Sequence, residues 1–303
     1  MSAHPHRHHH HHHDHRKAPG DRDWADFGAQ LELEAEVLSP YLDEAMSVLE
    51  SLASAGALDV RRVVDLGSGP GAAATALARA FPAASVLALD RAPALLERAR
   101  ERAARLGVGD RVTTSPVDLE ASLGALGPID LAWTAMVLHH LPDPARLLRE
   151  LRELLTPGGL VAIVEFGPPT RTLPDDLGFG APGFGARHAA AVAAAIEDHL
   201  PPGALHTDWP ETLRAAGLEP IEQRILRVDR PAPLPEPSRR WIAQGLQRSA
   251  EMVAGRLSEA DRETLAVLAD PDDPRGALRR SDTEVHAARS FYVARKPVRA
   301  TGP

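Results

Sequence analysis

The sequence contains no cysteine. That excludes disulfides, thiolate metal sites and a cysteine nucleophile. It has no apolar run long enough to span a bilayer, and its first residues lack the apolar core of a secretion signal. Nor does it carry an excess of positive charge. Its 42 acidic residues outnumber 34 basic ones, for a formal net charge of -8, which works against attraction to nucleic acid or an anionic membrane. The arginine-rich stretches at 98–105 and 279–280 read as solvated faces. The expectation is a soluble, cytoplasmic protein with neither nucleic acid nor membrane as partner.

What is present suffices for a sizeable core. At 303 residues and 44% hydrophobic content, the chain makes one large domain or a domain with a substantial insertion. Residues 1–22 form a polar tail with a run of histidines, His8–His13. It reads as a tag or a disordered tail, and no metal site is assigned to it or to the rest of the chain. Helical periodicity fills 23–58, and Pro40 is expected to break it into two cap helices.

The densest signal is Val63-Val64-Asp65-Leu66-Gly67-Ser68-Gly69-Pro70-Gly71, followed by the helix-forming run Ala72–Ala80. It reads as strand, tight turn, helix. Glycines tolerate positive φ and allow a ligand close to the backbone, and a helix start presents unpaired N–H groups. Strands and helices then alternate. Strands are expected at Ala84–Asp90, Arg111–Thr114, Ile129–Trp133 and Leu160–Phe166, with Thr156–Gly159 as a turn before the last. Such spacing implies right-handed crossovers and a mostly parallel, doubly wound α/β sheet. Ligands lie outside the carboxyl ends of such strands, where Asp65, Asp90, Asp118 and Thr134 fall. From about 167 to 206 a stretch with two Gly-Phe-Gly units, Gly178–Gly180 and Gly183–Gly185, reads as a lid. A helix at 209–216, a strand at 218–228, a helical insertion at about 236–270 and a last strand at 285–296 follow.

Gly67-x-Gly69-x-x-Ala72, with Asp90 downstream, satisfies the loose dinucleotide pattern and so admits an NAD(P)-dependent oxidoreductase. Other details favour a ligand with a ribose, an adenine amine and an ammonium. Asp65 stands where it accepts from an ammonium or fixes the turn. Asp118 stands where it meets an exocyclic amine or caps a helix.

Together, Val63–Gly71, Asp90, Asp118, Trp133–Pro144 with its His139-His140 pair, and Leu155–Gly159 resemble a class I S-adenosylmethionine-dependent methyltransferase, strongly over about 60–166. The resemblance implies a Rossmann-like, seven-stranded, mostly parallel sheet with an antiparallel last strand, helices on both faces, N-terminal cap helices and a lid insertion, over a domain spanning 59–303. It implies S-adenosyl-L-methionine as cofactor: Gly67, Ser68, Gly69 and Gly71 beneath its methionine part near Asp65, Asp90 with Arg91 at the ribose, Asp118 and Leu119 at the adenine, Thr134 and Ala135 as the floor. His139 and His140 are candidates for a general base or simply belong to the motif. No Asn-Pro-Pro-aromatic segment follows the fourth strand; Thr134-Ala135-Met136-Val137 stands there, which points to a small-molecule methyl acceptor with an O, N or C nucleophile. A homodimer is compatible with the sequence, and so is a non-catalytic subunit of methyltransferase fold that supports a partner.

Overall fold

The computed structural model of the chain describes residues 24–123 and 126–298. The histidine-rich tail at 1–22 lies outside them. Five aliphatic runs build the parallel part of a sheet: β1 (Arg62–Leu66), β2 (Ser85–Asp90), β3 (Val112–Pro116), β4 (Ile129–Ala135) and β5 (Leu155–Phe166). β1 and β4 are buried on both faces, as strands covered by helices on each side must be. β6 (Glu219–Arg230) and β7 (Val285–Arg295) complete seven strands in the order β3-β2-β1-β4-β5-β7-β6, with β7 antiparallel to both neighbours. The order reverses between β1 and β4. At that switch the carboxyl ends of the strands open a crevice. An antiparallel strand between β5 and β6 also departs from the all-parallel order of dinucleotide folds.

α1 (Trp24–Ala55) and α2 (Ala72–Ala80) cover one face, where Leu49 and Leu77 pack on Val63, Trp133 and Phe291. α4 (Pro144–Leu154) and α6 (Trp209–Ala215) cover the other, where Leu147 and Leu213 meet Val64, Ala132 and Ile163. α3 (Pro93–Arg105) packs beside α1 and α2. A separate apolar cluster joins α5 (Phe184–Glu197), α7 (Glu236–Val253) and α8 (Glu259–Ala269) to Val37 and Leu38 of α1 and the first residues of β7. The insertions at 167–206 and 236–270, separate in sequence, thus share one core.

Two expectations are corrected. Pro40 does not divide the N-terminal segment; α1 runs through it as one helix of 32 residues. A proline removes the N–H that would reach the carbonyl four residues back and crowds that carbonyl. Here Arg230 of β6 supplies the missing donor, from Nη2 to the Glu36 carbonyl at 3.3 Å, and its Nε also reaches the Val37 carbonyl at 2.7 Å. Arg230→Ala should therefore cost about 1–2 kcal/mol and speed amide exchange over residues 24–40. Unchanged exchange there would show that the helix crosses Pro40 without this guanidinium.

The second correction concerns Thr156–Gly159, which lies inside β5 and not in a turn before it. Gly158 adopts φ +80°, yet its N–H reaches the Lys296 carbonyl, and the Lys296 N–H reaches Gly159. Pairing with the chain beyond β7 keeps the ladder intact through a segment whose composition signals a turn.

Candidate functional site

β1 leaves the sheet through three glycines in the left-handed region, Gly67, Gly69 and Gly71, at φ +69°, +51° and +78°. The Ser68 N–H bonds the Leu89 carbonyl at 2.8 Å, which ties the turn to β2. Asp90, at the end of β2, spans the junction. Its Oδ2 accepts from the Gly69 N–H and its Oδ1 from the Ala92 N–H, both at 2.9 Å. Each oxygen retains acceptor capacity. Gly71 is the N-cap of α2, so free N–H groups of that helix point at the turn. Leu31 of α1 lies over it, 3.7 Å from where a β carbon on Gly69 would stand.

Behind the turn, the Asp65 side chain is buried on the face of the sheet that α2 covers. The Ala74 backbone N–H bonds it, while its Oδ2 has no partner. Burial, reinforced by the nearby charge of Asp90, pushes this carboxyl up to about 8. Buried polar atoms left unpaired cost about 1–3 kcal/mol each and are rare. Of the six such side-chain atoms among the described residues, four belong to Asp65, Ser68, Trp133 and Thr134, at the ends of β1 and β4. That concentration suits a ligand bearing polar and cationic groups.

Asp118 and Leu119 follow β3, brought beside Asp90 by the Val117 N–H bond to the Asp90 carbonyl at 3.0 Å. Asp118 is exposed and Leu119 buried. The Asp118 carboxylate accepts from the Glu120 N–H at 2.9 Å and closes a turn, so it caps no helix. Arg146 of α4 pins this loop through the Leu119 and Ala121 carbonyls and pairs with Glu150, whose carboxylate takes the Leu123 N–H. Sequence reading missed these two residues; their four-residue spacing on a helix was the available signal. Arg91 is exposed beside Asp90, and Ala135 is half-buried at the end of β4.

Beyond Ala135 the chain turns through Met136 at φ +57° into His139 and His140. His139 is buried and His140 exposed. Their rings lie 4.0 Å apart, and the Phe166 ring is 4.6 Å from His139. Glu165 of β5, which sequence reading also missed, is buried behind them. It accepts from the Leu138 N–H at 2.9 Å and bonds His139 Nδ1 at 2.5 Å. A glutamate amid the apolar run Leu160–Phe166 was its signal.

The Gly-Phe-Gly units of the expected lid pack against the second insertion. Phe179 lies under the guanidiniums of Arg275 and Arg280, 5.2 and 5.8 Å from its centroid. Gly180 abuts Thr264 of α8, and Phe184 is fully buried among α5, α7 and α8. The units fasten the insertion to those helices, and the element over the glycine turn is α1.

Residues 64–161 match the methyltransferase domain family. Among curated relatives, the chain is 36% identical over 151 residues to a trans-aconitate 2-methyltransferase of Methylobacterium radiotolerans, covering 48% of this chain and 55% of that one. It is 35% identical over 159 residues to a malonyl-[acyl-carrier protein] O-methyltransferase of Halorhodospira halophila, covering 50% and 52%. The chain thus spans about half the length of these relatives. Among solved structures, the YcgJ protein of Bacillus subtilis superposes with a TM-score of 0.50 at 17% identity, over 84% of this chain and 99% of that one, which speaks to fold alone. Family match and strand order agree: residues 64–161 match the methyltransferase domain family, and they lie on a seven-stranded, mostly parallel sheet with one antiparallel strand.

Proposed function

We propose that this chain transfers a methyl group from S-adenosyl-L-methionine to a small-molecule acceptor. The observation that carries the reading is the buried, unpartnered Asp65 Oδ2 behind a glycine turn that α1 covers. A dinucleotide offers no ammonium to that oxygen, and the methionine part of the donor does. In this reading Asp65 takes the ammonium, and Gly67, Ser68, Gly69 and Gly71 let the ligand lie on the backbone. Asp90 accepts from the ribose hydroxyls with Arg91 beside it. Asp118 accepts from the adenine amine above Leu119, and Thr134 with Ala135 forms the floor.

When bound, the donor supplies a methyl group already activated on a sulfonium. The chain's part is to align the acceptor in line with it and, for an acceptor that must lose a proton, to remove that proton. His140 is the member of the pair that solvent reaches, and the ring beside it, His139, is held by Glu165. His140→Asn should lower kcat about a hundredfold without changing cofactor affinity. An unchanged kcat removes the base.

The reading is tested by thermal unfolding. S-adenosylmethionine or its demethylated product should raise the midpoint while NAD and NADP should not, and the reverse result would establish the dinucleotide reading. Cofactor binding without methyl transfer into any metabolite fraction would favour a non-catalytic subunit.

Asp65 adds a pH signature. With its carboxyl raised to about 8, the empty site holds a proton at neutral pH, and binding an ammonium drives it off. Adenosylmethionine binding at pH 7 should therefore release most of one proton, less as pH rises, and that release should be absent in Asp65→Asn. Calorimetry in buffers of different ionisation enthalpy measures this, and equal heats in all buffers would leave Asp65 a turn-fixing residue. The same sign applies to the empty protein. A folded pKa raised above the unfolded value favours folding fully below about pH 4, and that contribution is lost as pH rises through 8.

A further inference from the structure

Arg289 serves none of the roles above. It lies on β7 opposite Phe166, at the carboxyl end of β5, and its side chain is only 13% exposed. A guanidinium has five donors. Two of its contacts appear among the described residues: Nη2 to Glu34 Oε1 at 3.2 Å and Nη1 to the Ala288 carbonyl at 3.3 Å. Withdrawing a guanidinium from water is recovered only by close and multiple pairing, and its planar fork suits both oxygens of one oxyanion. A single contact to a carboxylate that is itself one-third exposed falls short of that.

The charges around it are also unequal. Arg248 of α7 also feels the charge of Glu34, so one carboxylate is shared by two guanidiniums. Tyr41 of α1 lies within electrostatic reach of Arg289, Glu34 and Asp65, and burial pushes its phenol up to about 12. It remains a hydroxyl donor at any working pH. Through Asp65 this group of residues borders the methyl-donor crevice, and through Phe166 it borders the two histidines.

We propose that Arg289, with Tyr41, binds an oxyanion of the methyl acceptor, and that Glu34 holds that place until the acceptor displaces it. The proposal rests on the methyltransferase reading above and narrows its acceptor to an anionic small molecule, held by a carboxylate or a phosphate group. Glu34 sits on the helix that covers the crevice, so its displacement would remove one polar contact between α1 and β7 as the acceptor enters.

The test is calorimetric titration of the full chain, without methyl donor, with propane-1,2,3-tricarboxylate and separately with glycerol 3-phosphate. One of the two should bind, and the stronger identifies the oxyanion. Arg289→Lys keeps the charge but loses the fork. It should weaken binding at least tenfold with the melting temperature nearly unchanged. Glu34→Gln should tighten binding several-fold, a change opposite in sign to any folding defect. Binding of neither probe, equal affinity in Arg289→Lys, or weaker binding in Glu34→Gln would overturn the proposal and leave Arg289 a staple for α1. Because no donor is present, any of these failures stands apart from adenosylmethionine binding, which is measured separately.

Discussion

Asp90→Ala is expected to weaken adenosylmethionine binding about a thousandfold. In the proposed site this carboxylate accepts from the ribose hydroxyls, and hydrogen bonds to a charged group contribute about 1.5–3 kcal/mol each. Two of them amount to roughly 4 kcal/mol, or about three decades in affinity. The structure adds a second reason. Asp90 also holds the Gly69 and Ala92 N–H groups, so its loss releases the glycine turn from the start of α3. Asp90→Asn keeps an acceptor oxygen without the charge and should fall between alanine and wild type. Titration calorimetry decides, and an unchanged dissociation constant for the alanine variant would remove the ribose assignment.

Gly71→Ala is expected to destabilise the fold by about 2–5 kcal/mol. Its backbone, at φ +78°, costs an L-residue about 1–2 kcal/mol. A β carbon there would stand 2.7 Å from the β carbon of Ala99 and 2.9 Å from its Cα. Neither atom can swing aside, and overpacking of this kind costs about 1–3 kcal/mol more. At about 2–4 °C per kcal/mol for a chain of this size, the midpoint should fall by about 10 °C. Gly69→Ala is the control, since its β carbon would meet only the Leu31 methyl at 3.7 Å, leaving the conformational cost alone. Equal shifts for the two variants would show that α3 yields at Ala99.

These two residues show how much was legible beforehand. The alternating glycines announce a backbone in the left-handed region, because only glycine occupies it cheaply. Asp90 announces itself by its place at a strand end, since alternating strands and helices put such ends on one edge. Asp118 kept two readings until the loop was seen to close on the Glu120 N–H with no helix after it. Glu165 announced itself only as a lone acid in an apolar run, and its partner His139 lies 26 positions away, beyond the reach of any local pattern. The packing of the Gly-Phe-Gly units was hidden for a related reason. Glycine and proline signal an irregular chain, and say nothing of whether its phenylalanines find a core.

By itself the sequence determined the parallel order of β1 to β5, the glycine turn and the acids that line it, because hydrophobic period and turn chemistry act over a few residues. The tertiary structure decided what depends on groups far apart in the chain. Arg230 carries α1 through Pro40 across 194 positions, and Arg289 meets Glu34 across 255. No local pattern records such pairings, since only the packing of β6 and β7 against α1 brings those charges together.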